Sequence, residues 1–195
     1  MARPSGRDIR EEVVVAAGDL IRREGVGAVS FGVLAAEVGV RAPSIHHHFA
    51  RKDDLLAAVA ERYRQDFAAA VETLPAGDAK GRIASYASLF VAPARDDLLC
   101  LCGALAVELA AAGASTRRHV EAFFADQVAW LSGELKLVAS PAAEGSDFDA
   151  LAKVLLAAME GALLMRRVGA EVDLSATAAS VLTTLLSEAG QPITK

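Results

Sequence analysis

The sequence predicts an all-α protein of about nine helices, and three observations support this fold class. Apolar residues make up 53% of the chain, with Ala and Leu prominent among them, and these two residues favour helices. The apolar residues recur at i, i+3, i+4 and i+7, the spacing of one buried helix face. No segment alternates apolar and polar residues as a half-buried strand does, so we expect helices joined by turns.

The first predicted helix begins near Ile9 and continues for about 17 residues. Gly25 and Gly27 end it, because glycine readily adopts the left-handed backbone that follows many helices. Charged residues separate the apolar positions of this helix. Its predicted buried face consists of Ile9, Val13, Ala16, Ala17, Leu20 and Ile21.

Two short helices follow the first one. Ser30 precedes a helix of about two turns, and its hydroxyl can accept a hydrogen bond from a free backbone N–H of the first turn. A glycine ends that helix, and the next one starts near Ala42 with Ile45 and Phe49 four residues apart. Pro43 fits the first turn of a helix, where backbone N–H groups have no helical acceptor.

The segments 30–38 and 42–48 form a helix-turn-helix, since a tight glycine-containing turn separates them. The second helix begins with small residues and carries polar groups along one side. Such a helix can enter the major groove of DNA with its first residues toward the base edges, while the preceding helix supports it.

Six further helices complete the predicted fold. The segment PAGD at 75–78 interrupts the chain after a long helix from about Lys52 to Leu74, and Pro93, Gly113, the loop 139–146 and Gly169 mark later helix ends. The remaining predicted helices are 79–92, 98–112, 116–137, 148–168 and 174–189.

The N-terminal stretch REGVGAVSFGVLAAEVGVRAPSIHHHFARKDDLL resembles the TetR family of regulators. Over residues 9–56 the chain is similar to the family in the order, type and spacing of its glycines, its Ser-capped helix, its aromatic residue and its Lys-x-x-Leu ending. The resemblance implies a repressor that binds a pseudo-palindromic operator as a dimer and is released by a small-molecule effector. It also implies two domains, with DNA binding in residues 1–51 and effector binding and dimerisation in residues 52–195.

The resemblance assigns DNA contacts to residues in and around the helix-turn-helix. We expect Arg41 and Ser44 to reach the groove, with the alternative that Arg41 meets phosphate alone and gives affinity without sequence discrimination. Lys52 is expected near the N-terminus of the long helix, where its charge and free N–H groups can hold one phosphate. The predicted contact residues are Ser30, Arg41, Ala42, Pro43, Ser44, His46, His47 and Lys52. Phosphate contact and a solvated face are both open for Arg3, Arg7 and Arg10.

Two positions depart from the family pattern. His46 stands where the family usually has Tyr, and Pro43 stands where a small residue is usual. His can donate an N–H to phosphate as Tyr donates its O–H, whereas Pro has no backbone N–H to give.

The consecutive histidines His46, His47 and His48 suggest a metal site at first sight. Consecutive helical residues point about 100° apart, so three in a row cannot converge on one ion, whereas zinc-binding helices use His at i and i+4. We therefore expect a DNA-facing surface at these residues, with neither a metal nor a cofactor.

The later stretch LCLCGALAVELAAAGASTRRHVEAFFADQVAWL resembles family members that respond to small electrophilic or unsaturated acids. We expect an effector pocket between the long helix and the helices that start near Leu98 and Thr116. Ligand sites of this kind are mainly apolar with a few polar groups. The expected lining residues are Tyr63, Phe67, Tyr86, Phe90, Cys100, Cys102, His119 and Phe123. The two cysteines are either packing residues or a thiol sensor, and a sensor would need a depressed pKa.

The last two helices predict a homodimer interface. Each carries more apolar surface than one small domain covers, and small residues permit close helix approach. The predicted interface residues are Leu151, Leu155, Met159, Leu163, Leu174, Ala178, Val181, Leu182 and Leu185. A second stripe on the first of these helices contains Val154, Ala158, Gly161 and Met165.

Charge and composition narrow the class of protein. Residues 1–52 hold eight Lys and Arg against six acids, a net charge of +2, while the remainder holds twelve against nineteen, a net charge of −7. This distribution permits a small basic face on an acidic body and argues against a non-specific polyanion binder. Two cysteines, the lack of an export leader and the lack of a membrane-length apolar run predict a cytoplasmic protein.

An enzyme is not expected, because the sequence contains no nucleophile–base constellation, phosphate loop or telling carboxylate pair. The alternative to a regulator is a small-molecule-binding or adaptor protein with a degenerate DNA-binding domain. Binding to double-stranded DNA would separate the two.

Overall fold

The computed structural model describes residues 8–95, 98–109, 112–139 and 146–188. Every regular element within these ranges is a helix, as the sequence predicts. The α-helices are α1 (Ile9–Glu24), α2 (Phe31–Val38), α3 (Ala42–His48), α4 (Lys52–Glu72), α5 (Ala79–Arg95), α6 (Leu101–Val107), α7 (Ala114–Val138), α8 (Phe148–Arg167) and α9 (Leu174–Glu188). A 3₁₀ turn, Val26–Ala28, lies between α1 and α2.

The helix boundaries agree with the predicted ones to within about two residues except at α5, which continues through Pro93 to Arg95 and does not end at 92, and around α6 and α7. α6 covers Leu101–Val107, a shorter segment than the predicted 98–112. α7 begins at Ala114, two residues before the predicted start, because the side chain of Asp53 accepts the backbone N–H of Gly113 at 2.6 Å and so caps the helix there. A cap supplied by a distant part of the chain leaves no local sequence signal.

The first of two compact units comprises the residues up to Phe67 together with Leu101–Glu121. α1 is its central helix, since it packs against the 3₁₀ turn, α2, α3 and α6. Each aliphatic side chain buried here contributes about 1.5–3 kcal/mol to folding. The fully buried aliphatic side chains of this unit include Val13, Ile21, Leu34, Ile45, Leu55 and Leu105.

The second compact unit comprises Ala68–Cys100 and the residues from Ala122 onward. In this unit α5, α8 and α9 pack against one another. Polar and aromatic contacts join α5 to α7. Arg82 donates to Glu134 at 2.9 Å, and the hydroxyl of Tyr86 donates to Gln127 at 3.0 Å. The ring of Tyr86 also stacks on Trp130, with 4.8 Å between centroids.

The predicted domain boundary between residues 51 and 52 divides DNA binding from effector binding and dimerisation, and it stays a prediction. The compact units follow packing instead, and the unit that contains the helix-turn-helix extends beyond that boundary to Phe67. Across the described ranges, no helix is both long and apolar enough to cross a membrane.

Candidate nucleic-acid interface

α2 begins and ends at the residues expected from the sequence. The hydroxyl of Ser30 accepts the backbone N–H of Val33 at 3.2 Å and so caps the helix. Gly39 ends α2 with φ of 72°, in the left-handed region that favours glycine. Ser30, a predicted DNA contact, is exposed, and its side chain has a structural partner on α2.

Two buried apolar side chains, one in the middle of α3 and one just after its end, pack this helix into the first unit. Arg41 precedes the helix as its N-cap residue, and Pro43 lies in the first turn. Ile45 is fully buried and Phe49, just after the helix, is 2% exposed. These two side chains anchor α3 in the unit and fix which side of it faces outward.

The outward face of α3 is centred on Pro43 and His47. At 3.6 residues per turn, both lie about 160° around the helix from buried Ile45, whereas Ser44 and His46 lie about 100° from it. Arg41, Pro43 and His47 are exposed and Ser44 is half-buried. Of the predicted contact residues on α3, the structure therefore places Pro43 and His47 at the centre of the face and Ser44 on its flank.

The three consecutive imidazoles do not converge. The ring of His46 packs edge-on against Phe31 of α2, with 4.6 Å between centroids. His47 and His48 contact each other edge to face at 5.5 Å. Among the described residues, no group of three His, Cys, Asp or Glu side chains lies close enough to hold a metal ion.

Lys52 is the first residue of α4, as predicted, and its ammonium group has an internal partner. Nζ donates to the carbonyl oxygen of Val26 at 2.7 Å. The next residue, Asp53, accepts the backbone N–H of Gly113 at 2.6 Å and the hydroxyl of Thr116 at 3.1 Å. The first turn of α4 therefore connects the 3₁₀ turn before α2 with the start of α7, all within the first unit.

Arginines flank this surface. Arg51 pairs with Asp54 at 2.9 Å, and the hydrogen bond from its guanidinium is the chief reason why the pKa of Asp54 lies below its ordinary value. The guanidinium of Arg10 lies 5.3 Å from the ring centroid of Phe49. Arg10 thus has a cation–π contact with the residue that anchors α3. Arg3 and Arg7 lie outside the described residues.

The eight expected effector residues divide between the two units. In the first unit, Cys102 is fully buried, Phe67 is 8% exposed, and Tyr63 and His119 are half-buried. Tyr63 contributes to a cavity of about 140 Å³, which is smaller than the roughly 300 Å³ at which ligand pockets begin.

The other four expected residues are buried in the second unit. Tyr86 and Phe123 are fully buried, and Phe90 and Cys100 are 2% exposed. Burial chiefly raises the pKa of Tyr86 well above its ordinary value. Neither cysteine is in a disulfide, and the burial of both favours packing over the exposed, reactive setting of a thiol sensor.

A groove on α7 and α8 has a volume of about 730 Å³. None of the eight expected effector residues lines it. Its lining includes buried Ser132 and half-buried Glu160, neither of which was predicted from the sequence. One signal was available for Glu160, because it is the only charged residue in the apolar stretch VLLAAMEGALLM at 154–165.

The structure places most of the expected dimer residues in the core of the chain itself. Six of them are at most 4% exposed, so they pack against their own chain and are not presented to a partner: Leu155, Met159, Leu163, Leu174, Ala178 and Leu182. Leu151 and Val181 are half-buried, and the side chain of Leu185 lies outside the described residues. The periodicity correctly marked a buried stripe, but sequence alone did not distinguish burial within the chain from burial by a second one.

The second stripe of α8 forms its exposed apolar face. Val154 and Met165 are 51% and 52% exposed, with half-buried Ala158 and Gly161 between them. On α9 the exposed residues are small, among them Ala176, Ala179 and Ser180. An apolar face bordered by small residues is suited to close packing of another helix.

The comparisons with known proteins agree with this geometry. Residues 13–59 match the model for "Bacterial regulatory proteins, tetR family". No curated protein matches the sequence. Among solved structures, a TetR transcriptional regulator from Legionella pneumophila is 26% identical, with 92% of this chain and 98% of that chain covered and a TM-score of 0.80.

Two further solved structures are similar. A TetR-family transcriptional regulator from Agrobacterium tumefaciens is 27% identical over 92% of this chain and 96% of that one, with a TM-score of 0.78. A putative TetR transcriptional regulator from Streptomyces avermitilis is 28% identical over 94% and 98%, with a TM-score of 0.76. These proteins are regulators and not enzymes, which agrees with the class expected from the sequence. Helix-turn-helix geometry, the family match over residues 13–59 and the shared fold together support a DNA-binding regulator similar to those of the TetR family.

Proposed function

We propose that this protein is a cytoplasmic repressor that binds a pseudo-palindromic operator as a homodimer and releases it when a small effector binds. The observation that carries the proposal is the exposed face of α3. Pro43 and His47 stand at its centre, and Arg41 is exposed at its start, while Ile45 fixes the opposite side in the core. A helix anchored in this way presents a fixed set of side chains to a groove.

Coupling between effector and DNA runs, in this proposal, through the first turn of α4. Asp53 is hydrogen-bonded to Gly113 and Thr116 at the start of α7, and Lys52 is hydrogen-bonded to Val26 beside α2. A shift of α7 caused by an effector would be transmitted to the helix-turn-helix through these adjacent residues. An effector changes operator affinity only by its preference for one geometry, and about 2.7 kcal/mol corresponds to a hundredfold loss.

Dimerisation in this proposal uses the exposed stripe of α8 and the small residues of α9. Val154 is half exposed, whereas its neighbour Leu155 is fully buried. We therefore expect Val154→Lys to give a folded monomer in light scattering, since the charge would be buried without a partner only in the dimer. Leu155→Lys should instead lower the melting temperature sharply. A folded Val154→Lys dimer would place the interface elsewhere.

DNA binding is tested by fluorescence anisotropy with DNA from upstream of the protein's own gene and with a scrambled sequence of equal length. We expect the upstream DNA to bind at least about a thousandfold more tightly at physiological salt. Equal, weak binding to both sequences would favour the adaptor alternative.

A further inference from the structure

The groove on α7 and α8 has the size of a ligand site. Its volume is about 730 Å³, within the roughly 300–1,000 Å³ usual for small-molecule pockets. Apolar side chains such as Phe124, Val128 and Leu156 form much of its lining. Lys136, Asp149 and Lys153 also line it and are exposed to solvent.

Two residues that line this groove each carry a buried side-chain oxygen that has no hydrogen-bond partner within the described residues. One is Oε1 of Glu160, and the other is Oγ of Ser132, a residue that is 2% exposed. A thiol hydrogen bond from Cys100 reaches the Glu160 carboxyl group, and Oε1 is left unpaired. A buried polar atom without a partner costs about 1–3 kcal/mol, and native proteins rarely keep one.

The chemistry of the missing partner follows from these atoms. Both oxygens can accept hydrogen bonds, and one belongs to a carboxyl group whose pKa is raised by burial, so its charged form is costly without a cation beside it. A cationic donor would satisfy both oxygens and balance the buried charge, whereas a carboxylate would oppose it. Lys153, the nearest lysine along α8, lies seven residues or about 10 Å of helix away from Glu160.

We infer that the groove binds an apolar molecule bearing an ammonium group, which donates hydrogen bonds to Glu160 and Ser132. This inference rests on the proposed function, because it identifies the groove as the effector site. It assigns the effector to amphiphilic amines, in contrast to the unsaturated or electrophilic acids that the LCLCG stretch suggests.

Dansylcadaverine is a suitable probe, since it joins an apolar fluorophore to a primary ammonium group by a short alkyl chain. Its N-acetyl derivative keeps the shape and loses the charge. We expect the purified protein to bind the amine at least about tenfold more tightly than the acetylated form, measured by the blue-shifted dansyl emission. Equal affinities for the two forms, or no binding of either because a second copy covers the groove, would overturn the inference without any variant.

Substitutions in the groove test which side chain causes the preference for the amine over its acetylated form. Glu160→Gln keeps the size of the side chain and should remove the preference for the amine, and Ser132→Ala should weaken amine binding several-fold. Asp149→Asn is the matched control, because it removes an exposed carboxylate from the same groove and should keep the preference. An unchanged preference in Glu160→Gln, or its loss in Asp149→Asn, would contradict the assignment.

Operator affinity separates this inference from the proposed function. Dansylcadaverine should weaken operator binding by the wild-type protein at least about tenfold and leave Glu160→Gln bound. If the protein binds the operator but the amine neither binds nor releases it, the inference alone fails. If no operator DNA is bound specifically, the proposed function fails whatever the amine does.

Discussion

The ammonium group of Lys52 lies 2.7 Å from the carbonyl oxygen of Val26, and the backbone N–H of the same Val26 donates to the carboxylate of Glu108 at 2.9 Å. One peptide segment in the 3₁₀ turn is thus held by α4 on one side and by the residue after α6 on the other. A lysine expected to hold phosphate therefore also has a structural role. Its ammonium group has three donors, so the contact with Val26 leaves N–H groups for a phosphate.

Lys52→Ala is expected to weaken operator and scrambled DNA alike, because a phosphate contact carries no sequence information. The slope of log K against log salt should fall by about 0.9, the value of one phosphate. The lost hydrogen bond should also lower the free energy of unfolding by about 1 kcal/mol. Anisotropy titrations at several salt concentrations measure the slope, and a change confined to operator DNA would refute the phosphate role.

His47→Ala and His48→Ala form a matched pair, since the two residues are adjacent, exposed and chemically identical. His47 lies about 160° from buried Ile45 around α3, and His48 only about 60°. We expect His47→Ala to weaken operator binding about fivefold or more and His48→Ala less than about twofold. A larger loss of operator affinity in His48→Ala than in His47→Ala would mean that the face of α3 centred on Pro43 does not contact DNA.

Gly113→Ala should destabilise the protein, because a Cβ at this position would collide with the carboxylate of Asp53 that caps α7. We expect the free energy of unfolding to fall by about 1–3 kcal/mol, measured by denaturant titration. The control is Gly133→Ala, an exposed position within α7 where a Cβ meets nothing within 4 Å. That change should stabilise the protein by about 0.5–1 kcal/mol. Equal effects of the two substitutions would show that the Asp53 cap contributes little.

Glu160 should make stability depend on pH. Burial raises its folded-state pKa above the ordinary value of 4.5, so its contribution to stability is fully present below that value and is lost as pH rises through the folded-state pKa. We expect Glu160→Gln to gain stability over the wild type as pH rises above 4.5. Asp149→Asn leaves Glu160 in place and should retain the pH dependence of the wild type. A constant difference between Glu160→Gln and wild type would contradict burial of the charge.

The N-terminal third of the fold was predictable because its signals are local. Ser30 caps α2 through an N–H group three residues along the chain, and Gly39 supplies a left-handed backbone. Ile45 and Phe49 mark one buried side of α3 by their spacing. Each of these signals lies within one or two helical turns of the residue that it explains.

The effector and dimer residues depend on contacts between distant segments, and these were less predictable. The apolar stripe of Leu155 and Met159 on α8 indicated burial correctly, but it is covered by the chain itself, and Val154 is the exposed neighbour. Ser132 on α7 and Glu160 on α8 line the same groove. The spacing of residues within either helix does not predict that these two side chains lie close together.

The most direct test of the central claim is a hydroxyl-radical footprint of the protein on DNA from upstream of its own gene. An α3 helix from each protomer of a dimer should enter the major groove of one half-site. The result that we predict is two protected segments of related, inverted sequence, separated by one or more helical turns of about 10 base pairs, and both should be lost in Arg41→Ala, His47→Ala double variants. Uniform cleavage along the whole fragment at saturating protein would contradict the claim.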